Sequence, residues 1–370
     1  MISHEPSPGA LRIVIIGLSI TSSWGNGHAT TYRGLMRELV RRGHDVLFLE
    51  YDAPWFDRYR DMPHPSFGRT VLYEDTATLR RWHASDVGEA DLVIVGSFVR
   101  DGVEVGDWVQ ETAGGVVAFY DIDTPVTLAR LENAPPGAEV YLSARQIAGY
   151  DLYLSFTGGP ILRRLEHEFG APAARALYCA ADPELYYPEH REPAWDLGYM
   201  GTCSEDRQPR VEAMLLAPAR QWRAGRFNIA GAKYTDQDTW PPNVSRFAHL
   251  PTSEHRAYFN AQRFTLNVTR DDMVVAGWSP SVRLFEAAAC GTPIISDRWD
   301  GIETLLEPGR EIFLAETPGE VLHLLRELPE EVRRATGERA RARILAGHTA
   351  AIRAAQLEGY VSETRAGAVA

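Results

Sequence analysis

Residues 277–297, Gly-Trp-Ser-Pro-Ser-Val-Arg-Leu-Phe-Glu-Ala-Ala-Ala-Cys-Gly-Thr-Pro-Ile-Ile-Ser-Asp, hold the densest chemistry of the chain. Ser279 suits a helix N-cap, Pro280 the first helical position and Gly291 the residue just past the end, which predicts a helix over about 280–290. Backbone N–H groups of Ser281 and Val282 then face outward beside the Arg283 guanidinium, a setting that favours phosphate oxygens. Glu286 follows Val282 by four residues, roughly 6 Å along a helix axis. A ribose lies about that far from its own diphosphate, and a carboxylate accepts from two vicinal hydroxyls. A nucleotide diphosphate fits this pattern. The same residues also fit a capped amphipathic helix that packs Val282, Phe285 and Ala289 and leaves Glu286 solvated.

The elements that must position these groups are legible along the chain. Leu11–Gly17 is a continuous β-branched run, followed by a glycine-rich loop through Gly27 and a helix with Leu35, Met36, Leu39 and Val40 on one face. Asp45–Leu49 begins the next strand, closing a βαβ unit. Strand-like runs recur at Asp91–Gly96, Val116–Tyr120 and Leu152–Phe156, then at Leu197–Gly201, Phe227–Ala230, Phe264–Val268 and Pro293–Ser296. This alternation predicts an α/β chain of two doubly wound, Rossmann-like domains facing a central cleft. The expected limits are 1–181 for the first domain, 182–196 for a proline-rich linker and 197–347 for the second. A last helix, 348–370, is expected to cross back to the first domain.

Composition bounds the partners. The 370 residues carry 38 basic and 50 acidic side chains, a net charge of −12, so nucleic acid and anionic membrane are not expected as main partners. An anionic ligand has to be gripped locally. Cys179, Cys203 and Cys290 have neither disulfide-framework nor zinc-site spacing, which fits a reducing cytoplasm, and Leu11–Leu18 is too short to span a membrane.

The stretch RLFEAAACGTPIISD with GIETLLEPGREI, and ADPELYYP ahead of LGYMG, resembles bacterial glycosyltransferases of the GT-B fold. It looks closest to the spore-maturation-protein-like group. The resemblance implies that Glu286 holds the donor ribose and that Ser279 to Val282 hold the diphosphate. One position departs from it: many retaining members carry a glutamate eight places before the ribose glutamate, and here that place is Trp278. Their donor-sugar contacts therefore do not carry over. Trp278 can stack on a sugar or base face, Glu303 is a candidate for a hydroxyl contact, and by analogy with the fold the His249-Leu250 segment is expected to supply backbone contacts to the base. Arg207 and Arg210, after the first glycine turn of the second domain, are further candidates for the diphosphate.

Trp24-Gly25-Asn26-Gly27-His28 resembles the start of inverting UDP-sugar glycosyltransferases, whose histidine here is the general base. The physical case agrees: a helix N-terminus disfavours the imidazolium, so His28 stays able to accept a proton, with Gly17, Gly25 and Gly27 shaping the loop. A loop histidine that only bonds the glycine turn fits as well. Asp121 and Asp123 follow the Val116–Tyr120 strand, and either supports His28, binds acceptor hydroxyls or forms a turn into Pro125. A metal role for this D-x-D pair is the weaker alternative, so no metal and no cofactor are expected. The expected activity is transfer of a sugar from a nucleotide-diphosphate sugar to a hydroxyl or amine of a glycan, small molecule or protein. An epimerase, a phosphorylase or a silent nucleotide-sugar-binding protein would use the same architecture.

Overall fold

Runs that are apolar on both faces need neighbours on both sides and helices above and below, and this chain builds two sheets of that kind. The computed structural model describes residues 9–24, 27–133, 140–235 and 239–369. The chain forms two units, Met1–Cys179 with Ala350–Ala370, and Ala180–Thr349.

The first unit holds β1 (Arg12–Gly17), β2 (Asp45–Tyr51), β3 (Arg69–Tyr73), β4 (Leu92–Gly96), β5 (Val116–Asp121), β6 (Leu152–Ser155) and β7 (Ala174–Ala176). Their order is β3-β2-β1-β4-β5-β6-β7, all parallel, with Ile13 in register with both Val46 and Leu92. Helix His28–Arg41 runs from β1 to β2, and helix Ala350–Val369 packs against it. At the far end of helix 28–41, Glu358 takes Arg42 in two bonds and His44 Nε2 at 2.7 Å, while His44 Nδ1 accepts from the Leu11 N–H. His44 is thereby an anchor.

The second unit holds β8 (Trp195–Met200), β9 (Phe227–Ala230), β10 (Val244–Phe247), β11 (Gln262–Asn267), β12 (Ile294–Ser296) and β13 (Phe313–Leu314). Their order is β10-β9-β8-β11-β12-β13, again all parallel. Each sheet reverses its winding once, between β1 and β4 and between β8 and β11. Ligands of open parallel sheets bind beyond the carboxyl ends of the strands at such a reversal.

Three readings of the sequence change. Strands β3, β7, β10 and β13 were not anticipated, and they are the four sheet edges. Edge strands are covered less, so their burial alternates or fades instead of forming an apolar run. Residues 182–196 lie within the second unit, where Tyr186 is buried and donates to Glu286. The helix expected from Pro280 starts at Val282 with Ser281 as its cap residue, because the Ser281 hydroxyl donates to Asn267 instead of capping. Its other end is as expected. Gly291 has φ +72°, its N–H reaches Ala288 O and the Thr292 N–H reaches Ala287 O, the paired closure of a Schellman motif.

That closure is backed by helix Glu330–Gly347 at a residue without a side chain. A Cβ on Gly337 would stand 2.3 Å from the Gly291 carbonyl oxygen. Gly337→Ala is expected to destabilise the chain by about 1–3 kcal/mol, opposite in sign to the usual helix preference for alanine. Urea unfolding midpoints of the two proteins provide the measurement.

Candidate functional site

In the second unit one side chain spans the reversal. Arg283, in the first turn of helix Val282–Ala289, donates through Nε to Met200 O at the end of β8, at 2.7 Å. Through Nη1 it donates to Asn267 Oδ1 at the end of β11, at 2.8 Å. The Ser281 hydroxyl donates to the same Asn267 oxygen at 2.7 Å, so the helix start is pinned to both strand ends. Arg283 is 7% exposed and its guanidinium lies over the Tyr199 ring. Its guanidinium is thus engaged within the unit. Because the helix begins two residues late, the N–H groups at its free end start with Val282 and Arg283.

Arg207 curls over the turn after β8, donating to Ser204 Oγ and Thr202 O. Among the described residues both Arg207 and Arg283 thus donate to neutral oxygens. Burial pulls the Arg283 pKa below the usual guanidinium value, and repulsion from Arg207 pulls it the same way. Asp206 lies in the field of Arg207 and Glu286 in that of Arg283, but the two guanidiniums themselves bond neutral oxygens, so the turn they share favours an anion. Arg210 is differently disposed: it pairs with Asp271 at 2.6 Å and lies 3.6 Å from Asp297.

Glu286 is 2% exposed, which removes the solvated alternative. Its Oε1 accepts from Tyr186 Oη at 2.9 Å and its Oε2 lies 3.6 Å from His255 Nδ1. Burial alone would lower the His255 pKa, but the Glu286 carboxylate together with the Leu250 carbonyl and Glu254 raises it. Leu250 O bonds His255 Nε2 at 3.3 Å, so that carbonyl is occupied; His249 is exposed. Tyr186 and His255 were not singled out in the sequence, and the paired tyrosines of ELYYP were their one visible signal.

Trp278 has φ +44° and donates its N–H to Asp300 O at 2.6 Å, and its indole covers Gly301 so closely that a Cβ there would lie 2.5 Å from the ring. The 277–278 and 300–301 turns therefore stack on each other. Ser279 is fully buried, and Glu303 is exposed on the short helix Ile302–Leu305.

In the first unit Gly17 and Gly96 end β1 and β4, where Phe48 and Tyr32 take the space of a side chain: a Cβ on Gly17 would lie 2.5 Å from the Phe48 ring and one on Gly96 2.0 Å from Tyr32 Oη. One turn earlier in the same helix is His28, buried, edge-on to Phe98 at 5.5 Å, with Nε2 3.4 Å from Asp123 Oδ2. The two side chains differ in exposure. The His28 side chain is 8% exposed and that of Asp123 is 30%, so the carboxylate is the member of the pair that meets solvent. Phe98, held at φ +62°, was missed in the sequence; a large residue two places after a strand-ending glycine carries no distinctive pattern.

Asp121 is not part of that pair. It is fully buried and accepts from Tyr153 Oη at 2.6 Å, Thr127 Oγ1 at 2.8 Å and Asp123 N at 3.2 Å, closing the turn that presents Asp123. Burial pushes its carboxyl up to about 6, against the Tyr153 and Thr127 bonds and with Asp123 adding to the rise.

Gly27 precedes helix 28–41 with an ordinary φ of −85°, and Gly25 lies outside the described residues. The loop after β1 is held by a group not anticipated. Glu50, fully buried at the end of β2, accepts from Ile20 N, Thr21 N and the hydroxyls of Ser19 and Thr21. A dinucleotide-binding sheet uses a carboxylate near this place for a ribose; here it is filled by the loop. Among the described residues no group of three or more His, Cys, Asp or Glu could hold a metal ion, none of the three cysteines is in a disulfide, and no helix is long and apolar enough to cross a membrane.

Residues 207–359 match the profile of a family of glycosyl transferase-like proteins. Curated proteins give no sequence match. Among solved structures, sucrose-phosphate synthase from Thermosynechococcus elongatus is similar over 96% of this chain and 99% of its own, with 14% identity and a TM-score of 0.69. HepE of Anabaena, in complex with UDP and glucose, is similar over 95% of this chain and 99% of its own, with 11% identity and a TM-score of 0.66. An alpha-glucosyltransferase in complex with UDP and a 13-mer DNA gives 95%, 100%, 12% and 0.68. At such identities the likeness carries the fold, which is the GT-B fold of glycosyltransferases.

The Asp121 carboxyl has a consequence for stability. Its folded pKa of about 6 exceeds the ordinary 3.8, so its contribution is complete below pH 3.8 and is lost as pH rises through 6. That loss is on the order of 3 kcal/mol. Asp121→Asn should flatten this part of the stability profile, read as the difference from wild type in urea midpoints measured across that range.

Proposed function

We propose that the chain is a glycosyltransferase, of the spore-maturation-protein-like kind, that moves a sugar from a nucleotide-diphosphate sugar to a hydroxyl or amine without a metal ion. The observation that carries this reading is the pair Arg207 and Arg283 at the second unit's reversal, two guanidiniums bonded to neutral oxygens and repelling each other. A diphosphate relieves that repulsion and bonds the N–H groups at the start of helix 282–289. Glu286, one turn along, takes the ribose hydroxyls on the lone pairs that Tyr186 and His255 leave. Structures of this fold in complex with UDP, and with UDP and glucose, support the assignment of ligand class.

In the transfer, the acceptor oxygen forms a bond to the anomeric carbon while the bond from that carbon to the diphosphate oxygen breaks. The released electron pair stays on the diphosphate, whose added charge Arg207 and Arg283 stabilise. The acceptor proton passes to Asp123, the exposed member of its pair, with His28 behind it at 3.4 Å. A base on the acceptor side is what inversion at the anomeric carbon requires. The net charge of −12 and the exposed carboxylate argue for an acceptor that is not a polyphosphate chain.

Arg207→Ala is expected to weaken binding of a nucleoside diphosphate by about 10–100-fold, measured by calorimetry with UDP, GDP, ADP and CDP. Equal affinity in the variant for whichever diphosphate binds the wild type would remove the assignment.

Asp123→Asn is expected to lower kcat by about 10²–10⁴-fold without changing diphosphate affinity, and added EDTA should leave the wild-type rate unchanged. Product analysis by NMR tests the base: a retained anomeric configuration would end the proton-accepting role given to the Asp123 and His28 pair.

A further inference from the structure

Resting on the glycosyltransferase reading, we propose that Trp24 and Tyr59 form a stacking platform for a sugar ring of the acceptor beyond the ring that reacts, so that the acceptor is an oligosaccharide. The two rings are parallel within 9° at 4.5 Å between centroids, yet they are 41% and 40% exposed. A pair that served the core would be covered. Trp55, in the same segment, is 52% exposed and lies 6.3 Å from Tyr51.

The platform is rigid. Asp61 accepts from the Ser23 N–H and hydroxyl at 2.8 and 2.9 Å and takes both Nη groups of Arg33 at 2.9 Å. Ser22 Oγ donates to Tyr59 O and Met62 N to Thr21 O, so the 21–24 and 57–62 segments are laced together directly behind the stack. The Arg33 guanidinium holds the Asp61 carboxyl far below the usual range even though burial opposes it. A preformed exposed aromatic face loses little freedom on binding, and flat sugar faces match it. Asp52, 48% exposed and paired with Arg60 at 2.5 Å, and the exposed Asp57 can accept hydrogen bonds from sugar hydroxyls.

The strand order gives the platform its direction. Asp123 follows β5, Phe98 follows β4, Trp24 follows β1, and Trp55 and Tyr59 follow β2, in the sequence of neighbours β5-β4-β1-β2. Strands stand about 4.8 Å apart, so these groups form a row along the carboxyl edge of one sheet. The reacting hydroxyl sits at the Asp123 end and the chain of sugars extends toward β2.

A glycan array of soluble neutral oligosaccharides, probed with the full chain, tests the platform without requiring transfer. The wild type should bind at least one oligosaccharide, Trp24→Ala and Tyr59→Ala should weaken it about tenfold or more, and Trp24→Phe should restore most of the affinity. Unchanged nucleoside diphosphate binding would show that the variants are folded. Failure of the wild type to bind any oligosaccharide, or equal binding by Trp24→Ala, overturns the platform. The two readings separate cleanly: saccharide binding without sugar transfer leaves the platform and ends the transferase, while transfer to an oligosaccharide acceptor that Trp24→Ala leaves unchanged does the reverse.

Discussion

The Arg283 guanidinium reaches the Met200 carbonyl with one nitrogen and the Asn267 side-chain oxygen with another, and the second unit's site is organised around that bridge. The bridge joins the ends of the two strands that flank the reversal to the first turn of helix 282–289. A buried cation whose hydrogen bonds go to neutral oxygens costs stability, and this chain places it, with Glu286 one turn along, where ligands of parallel sheets bind. Tyr199 supplies a ring beneath it, Gly337 lets the neighbouring helix approach the far end of helix 282–289, and Gly291 closes that end. The charge is thus fixed in direction before any ligand arrives, which is the condition for electrostatic stabilisation without reorganisation.

The first unit uses carboxylates in place of a cation. Glu50 holds the loop after β1, Asp61 laces the two aromatic segments, and Asp121 closes the turn after β5. Each accepts from groups of the chain itself, and each therefore acts by shape. Asp123 also keeps part of its surface open, while its other side meets His28. Carboxylates near strand ends thus range from the fully buried Glu50 and Asp121 to the partly open Asp61 and Asp123, a division set by burial and not by residue type.

Much of this was legible before the structure. The central strands are apolar on both faces and give unbroken runs, so β1, β2, β4, β5, β6, β8, β9, β11 and β12 could be read directly, whereas the four edge strands could not. The Gly291 stop was legible because a left-handed residue after a helix selects glycine. The helix start was not, since Ser279, Pro280 and Ser281 satisfy the same local rules, and a long-range bond from Ser281 to Asn267 chose between them. Glu286 was visible as a carboxylate at the right spacing, but its burial under Tyr186, a hundred residues away, was not.

The sequence by itself determined the alternation of strand and helix, the two parallel sheets and the residue types able to meet a diphosphate, because these depend on periodicity and on local backbone chemistry. Only the tertiary structure decided which of those residues are spent on the protein itself. Arg210 goes to Asp271, Asp121 to Tyr153 and Thr127, and Glu50 to the loop, while Arg207, Arg283 and Asp123 keep capacity for something else. Such choices turn on partners tens of residues distant, where a hydrogen bond's energy depends on the burial of both ends, and burial belongs to the fold.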